Sequence, residues 1–281
     1  MTTPYQQPGY QQPGAPVAAY ASPIPLRNAH LGDALASEWT KIRSVRSTMW
    51  TLGVMIALML SIGLGVAALV AGQDVRMEGE PALGLGFFGV LLGSICVMTL
   101  GVLTIASEYG TGMIRTTLTA CPSRGRVLAA KSIVFFLLVF TLTTVIAALV
   151  AAFQTSMVDA AEATTDQWLR ATVGVGLYVA TLGLLSLAVG AMIRHSAGAI
   201  TIMIGVMLLP LVAAMFMFSE SLEKVQKFLL EYAIPSQLIG IYGQTTEAGS
   251  GPIGWEPVWI IFGVTAVAMA GAFASLSSRD V

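Results

Sequence analysis

Five charged side chains sit between two long apolar runs in the stretch Ser107–Lys131, SEYGTGMIRTTLTACPSRGRVLAAK. They are Glu108, Arg115, Arg124, Arg126 and Lys131. One carboxylate among four cations offers no acid–base pair and no activated nucleophile. What these types can do is present a charged, hydrogen-bonding surface to another surface. Gly110 and Gly112 flank Thr111, a good N-cap residue. Met113, Ile114, Thr117 and Leu118 then mark the apolar side of a short helix that carries Arg115 on another side, and Cys121-Pro122-Ser123 ends it. Two explanations stand on composition. A basic loop that only sets membrane topology is the commoner one; a short projecting helix that a soluble partner grips is the other.

Elsewhere the chemistry is sparse. The two histidines, His30 and His195, lie outside the apolar runs, and Cys96 and Cys121 have no partner in sequence, so no zinc or disulfide framework is expected. Ser61, Ser94, Thr143 and Ser186 lie inside apolar runs with no His or Lys at the same depth, and are expected to bond back to their own helices or to pack. No Gly-x-x-x-x-Gly-Lys-Ser/Thr occurs, so nucleotide binding through a P-loop is excluded. Any uphill transport must therefore draw its energy from another polypeptide.

The elements that must position these residues follow from composition. Of 281 residues, 56% are apolar and 10% charged, far below the charge of a soluble domain, and the net charge of −1 gives no basic surface for nucleic acid. The class is all-α and polytopic. Six runs satisfy the roughly 20 apolar residues needed to cross a bilayer: 50–71, 82–106, 132–153, 171–193, 196–218 and 257–276. None holds Asp, Glu, Lys, Arg or His, which argues against a coupling-ion site within the membrane. Arg194 and His195 alone separate the fourth and fifth, so these form a tight hairpin, and Pro210 is expected to kink the fifth.

Before the first run, residues 31–49 place Leu31, Leu35, Trp39, Ile42, Val45 and Met49 on one arc of a helical wheel. Glu38 and Arg46 interrupt that arc, and Lys41 lies beyond its edge. Trp39 with Lys41, Arg43 and Arg46 suits a helix lying in the membrane interface, within a segment 26–49, with a bend expected near Thr48. Residues 1–25 carry the repeat Tyr-Gln-Gln-Pro-Gly twice and no charge, and are expected to be disordered. Residues 50–281 form the membrane domain. Segment 219–243 is too interrupted to span; it is expected in the outer interface or as a re-entrant element, and 244–254 as a mobile loop.

Orientation follows from the flanks. With the N-terminus in the cytoplasm, ten cations lie inside (Arg27, Lys41, Arg43, Arg46, Arg115, Arg124, Arg126, Lys131, Arg194, Arg279) and four outside (Arg76, Arg170, Lys224, Lys227). Both termini and the Ser107–Lys131 stretch are thus expected in the cytoplasm.

Three segments resemble the permease subunits of ATP-binding-cassette exporters of the type 2 family, actinobacterial ones in particular. Ser37–Thr48 looks like their amphipathic connecting helix. Glu108–Leu118, followed by Arg124–Lys131, is similar to the segment leading into their coupling helix, though Gly110-Thr111-Gly112 follows Glu108-Tyr109 more closely than in many relatives. Ile234-Pro235-Ser236 is similar to their external helix region. The resemblance covers about residues 31–281.

It implies a bacterial plasma-membrane subunit that exports a lipophilic or amphipathic substrate. ATP and magnesium would be held by a separate ATPase, with no cofactor and no catalysis in this chain. A second copy or a paralogue would complete the pathway. Glu108, Tyr109, Gly110, Thr111, Met113, Ile114, Arg115 and Leu118 would dock on the ATPase, Glu108 and Arg115 through charge. Arg124, Arg126 and Lys131 would be left as topology and headgroup anchors. The rival reading is a membrane scaffold whose tail and basic loops recruit soluble partners.

Overall fold

The computed structural model describes residues 30–73, 81–121, 123–244 and 251–278, and over these it is helical with no strand. The expected disordered segment 1–25 lies outside them, as do Arg27, Arg76, Arg279 and the 245–250 part of the Gly/Thr-rich loop.

Helix α1 (Leu31–Ser44) leads into α2 (Arg46–Ala71). A 3₁₀ turn (Ala82–Gly86) opens α3 (Phe87–Thr111), which is followed by the short α4 (Met113–Ala120) and the long α5 (Arg124–Met157). A five-residue α6 (Thr165–Leu169) continues through a π turn (Arg170–Gly174) into α7 (Val175–Ile193), and α8 (Ser196–Met215) follows. Two short helices, α9 (Glu223–Tyr232) and α10 (Ile234–Ile241), precede α11 (Glu256–Ser278).

Among the described residues, six helices are long and apolar enough to cross a membrane: 46–71, 82–111, 124–157, 165–193, 196–215 and 256–278. Each contains most of one expected span, but the ends differ. Hydropathy marks the lipid-facing stretch, whereas helix ends are set by caps. Ser123 N-caps α5 by accepting from the Arg126 amide at 3.4 Å, so the helix starts at Arg124, eight residues before the apolar run begins at Ser132. The second span does not leave the helix at Ala106. It runs on to Thr111, whose hydroxyl donates back to the Ser107 carbonyl at 2.9 Å, and stops at Gly112 with φ 73°. Gly112, not Thr111, is therefore the N-cap of α4, because only a glycine adopts that left-handed turn without steric cost. The elbow between α1 and α2 likewise lies at Val45, in extended conformation, and not near Thr48.

Helix α7 is the axis of the bundle. Within its span 72% of the most apolar stretch is buried, against 17% in α11, and α3, α5, α8 and α11 pack around it. Close approach is made possible by small residues. A Cβ on Gly101 of α3 would meet the Gly183 carbonyl oxygen of α7 and stand 3.1 Å from Ser186 Cβ. Ser94 and Ser186 donate to the carbonyls of Leu91 (2.6 Å) and Leu182 (3.0 Å), as expected of hydroxyls at membrane depth. At the α7–α8 hairpin Arg194 takes φ 58°, and His195 caps α8 by accepting from the Gly198 amide at 3.1 Å. Pro210 lies within α8.

At the opposite end from α1 and α4, segment 219–243 divides its roles. Helix α9 has no buried residue, whereas α10 sinks Ile234, Leu238 and Ile241 into the main core, with Pro235 in its first turn. Arg170 ties this end together, donating to Asp166 Oδ2 (2.7 Å) and to the Ile241 carbonyl (3.4 Å), while Trp255 Nε1 donates to Asp166 Oδ1 (3.1 Å).

Candidate functional site

The charges of the Ser107–Lys131 stretch do not share one surface. Helix geometry splits them into an exposed set on α4 and a buried set beneath it. On α4, Ile114 is 3% exposed and faces inward, Leu118 is half-buried, and Met113, Arg115, Thr116 and Thr119 face outward. Gly110 and Thr111 are exposed at the corner where the chain turns. Tyr109 is half-buried, and the Arg194 guanidinium lies 5.0 Å from its ring centroid, a cation–π contact that links the foot of α3 to the α7–α8 corner.

Below α4 lies a four-member charge cluster. Lys131 of α5 donates to Glu38 Oε2 of α1 at 2.7 Å and to Glu108 Oε1 of α3 at 2.9 Å. Lys41 of α1 donates to Glu38 Oε1 at 2.8 Å, to Glu108 Oε1 at 2.9 Å, and to Thr117 Oγ1 of α4 at 3.3 Å. Each ammonium thus bridges both carboxylates, and the cluster ties α1 to the consecutive helices α3, α4 and α5, 67 to 93 positions further along the chain. The side chains of Lys131, Glu108 and Glu38 are 1%, 3% and 5% exposed.

Such burial is tolerable because every charge in the cluster has an opposite partner, although Glu108 Oε2 itself accepts no hydrogen bond from the described residues. Removing one partner of a buried ion pair costs about 3–5 kcal/mol, whereas an exposed surface pair contributes at most about 1 kcal/mol. The helix dipoles give no help: Glu108 stands at the C-terminal end of α3 and Lys131 in the second turn of α5, each the unfavourable end for its charge. Their placement is explained by each other. Burial of Lys41 opposes its charge, but hydrogen bonds to Glu38 and Glu108 outweigh that and hold the ammonium above its ordinary value.

These positions correct several sequence expectations. Glu108 is not an outward contact; it is sealed under α4, because helix α3 continues past the apolar run and turns it toward α1 and α5. Ile114 is likewise a core anchor, not a free one. Lys131 is no headgroup anchor but the most buried member of the cluster. Arg124 donates from its guanidinium to the Leu276 carbonyl at 2.9 Å, capping the end of α11. Lys41, expected on the interfacial face of α1, points into the cluster, whereas Trp39 (44% exposed), Arg43 and Arg46 stay on the outer surface.

In the sequence Glu38 and Thr117 have no partner role, and Lys131 has only that of an anchor. A signal for Glu38 existed in its interruption of the apolar arc of α1: a charge on the buried face needs a partner. Nothing in the sequence identified which one.

A sequence model described as ABC-2 family transporter protein matches residues 34–209, from the first turn of α1 into α8. That span contains every member of the charge cluster and the whole of α4. No curated protein sequence matches the chain.

Proposed function

Because this chain belongs to the ABC-2 family of transporter proteins, we propose that it is the permease subunit of an ATP-driven exporter, coupled to a separate ATPase through α4. The observation that carries this reading is the mounting of α4: a short helix with an outward face of Met113 and Arg115, rooted by Ile114 and by the Thr117–Lys41 bond on a buried charge cluster. A partner that pushes on α4 pushes on α1, α3 and α5 together. The excess of cations at this end supports a cytoplasmic orientation for it, with the chain in a bacterial plasma membrane. Six spans are half of the usual exporter complement, which supports a second copy or a paralogue. The apolar spans suit a lipophilic or amphipathic cargo.

The docking residues in this reading are Met113 and Arg115, with Gly110 and Thr111 at the corner. Glu108, Ile114 and Leu118 act from beneath. Co-purification of the chain with its ATPase tests the assignment. Met113→Ala/Arg115→Ala is expected to lower recovered ATPase at least tenfold with the thermal midpoint unchanged. Full recovery of ATPase and of transport by this double variant would overturn α4 as the docking element.

A further inference from the structure

A cavity of about 380 Å³ lies beside the charge cluster, between the α1–α2 elbow and the last turns of α3. It is within the size range of small-molecule sites. Thr51 and Leu100 belong to the apolar runs and Ser107 and Glu108 lie past them, so the cavity straddles the edge of the lipid-facing belt. One part of its wall is apolar: Ile42, Val45, Leu100, Leu103 and Met113.

The other part is polar and offers acceptors. Glu108 takes both lysines on Oε1, while Oε2 accepts no hydrogen bond from the described residues, on a side chain only 3% exposed. The hydroxyl protons of Thr51, Thr104, Ser107 and Thr111 are committed to the carbonyls of Ser47, Leu100, Leu103 and Ser107, which leaves lone pairs for a guest. The two lysines would ordinarily suggest an anion. Here both ammonium groups are already held by two carboxylates, so the cluster is neutral and an entering anion would face Glu38 and Glu108.

We propose that this cavity binds the protonated primary amine of an amphiphile. The ammonium donates to the hydroxyl oxygens of the wall and, on a small turn of the Glu108 side chain that opens its enclosed Oε2 to the cavity, to that carboxylate oxygen. The alkyl chain runs along Leu100 and Leu103 toward the membrane. A carboxylate shielded from bulk water makes such a charge-assisted bond strong, and three N–H donors match a wall of acceptors. The site shares Met113 and Glu108 with the mounting of α4 but does not rest on ATPase coupling, and holds whether its occupant is cargo or a resident lipid.

The test uses the full chain in phosphatidylcholine nanodiscs and equilibrium binding of radiolabelled dodecylamine. Saturable binding is expected. Dodecyltrimethylammonium, equal in charge but without N–H donors, and dodecyl sulfate are expected to compete at least tenfold more weakly than unlabelled dodecylamine. Thr104→Phe, which fills the cavity one helical turn before Glu108 and leaves all four charges in place, is expected to weaken binding at least tenfold at an unchanged thermal midpoint. Glu108→Gln is expected to weaken it as well, and Thr104→Phe carries the test where that variant fails to fold. Replacing part of the phosphatidylcholine with phosphatidylethanolamine distinguishes the sources: competition supports the site with a lipid headgroup as occupant, and retained dodecylamine binding supports it with a free amphiphile. Equal competition by dodecyltrimethylammonium or dodecyl sulfate, or full binding by Thr104→Phe, would overturn the proposal.

Discussion

Lys131→Met tests the central claim that the charge cluster, and not helix packing alone, locks α1, α3 and α5 together. Methionine keeps the length and apolar stem of lysine but removes the ammonium that lies 2.7 Å from Glu38 and 2.9 Å from Glu108. The four-member cluster then passes from net zero to −1, and two carboxylates at most 5% exposed must share Lys41. Loss of one partner of a buried pair costs about 3–5 kcal/mol. For a chain of this size each kcal/mol moves the thermal midpoint by about 2–4 °C, so a fall of roughly 6–20 °C is expected. The assay is the thermal midpoint of the purified chain in detergent, followed by tryptophan fluorescence at low and at high salt. Because the pairs are sealed from solvent, salt should change the difference little. Adding Glu108→Gln to Lys131→Met returns the cluster to neutrality and should recover at least half of the loss. A Lys131→Met midpoint within about 2 °C of wild type would refute the reasoning, given shifts of at least roughly 6 °C on this scale. So would a double variant whose loss is the sum of the two single losses, since charges in contact must couple.

Three further outcomes follow from the geometry. The Lys41 ammonium is held above its ordinary value of 10.5, so its contribution to stability is fully present below the unfolded-state pKa and lost as pH rises through the higher folded value. The thermal midpoint should therefore fall as pH climbs past 10.5, and Lys41→Met should flatten that decline. Gly101→Ala places a methyl group against the Gly183 carbonyl and must force α3 from α7; a loss of about 1–3 kcal/mol is expected by the same thermal assay. Gly112→Ala puts a side chain at φ 73°, which costs about 1–2 kcal/mol. It should also weaken ATPase co-purification by re-aiming α4, whereas Thr116→Ala on the same exposed face should leave stability within about 0.5 kcal/mol.

The spans were legible because an apolar run of about 20 residues has few fates other than a bilayer. The α7–α8 hairpin was legible because two polar residues leave no room for a longer turn. The short helix before the third span also appears where its apolar residues placed it. The sequence was less informative about where the long helices end. Caps such as Gly112 and Ser123 act through one dihedral angle or one hydrogen bond, which hydropathy does not register, so Glu108 and Lys131 read as loop charges. That error propagated into function, since a loop charge reads as a docking contact and a helical one at the same position turns into the core. Of the two partners of Glu38, Lys41 lies three positions along the chain but Lys131 lies 93, and Lys41 in turn reaches Glu108 67 positions away; the long-range pairings come from the fold alone.

The placement of the cluster bears on how motion at α4 would cross the membrane. A short helix fixed only by its covalent neighbours would absorb a push by bending at Gly112, where backbone freedom is greatest. Three inward ties oppose that: Ile114 in the core, Thr117 on Lys41, and the ion pairs that join Lys41 to α3 and α5. Because α3 packs on α7 through Gly101 and Gly183, and α5 packs on α7 through Phe135 against Gly183, displacement of the cluster reaches the most buried helix by two routes. Helix α2, by contrast, joins α1 through the extended Val45 and shares no member of the cluster. A push on α4 would therefore reach α3, α5 and α7 together, and α2 through its packing on α3 and α5, where Gly89 and Gly63 bring the helices close.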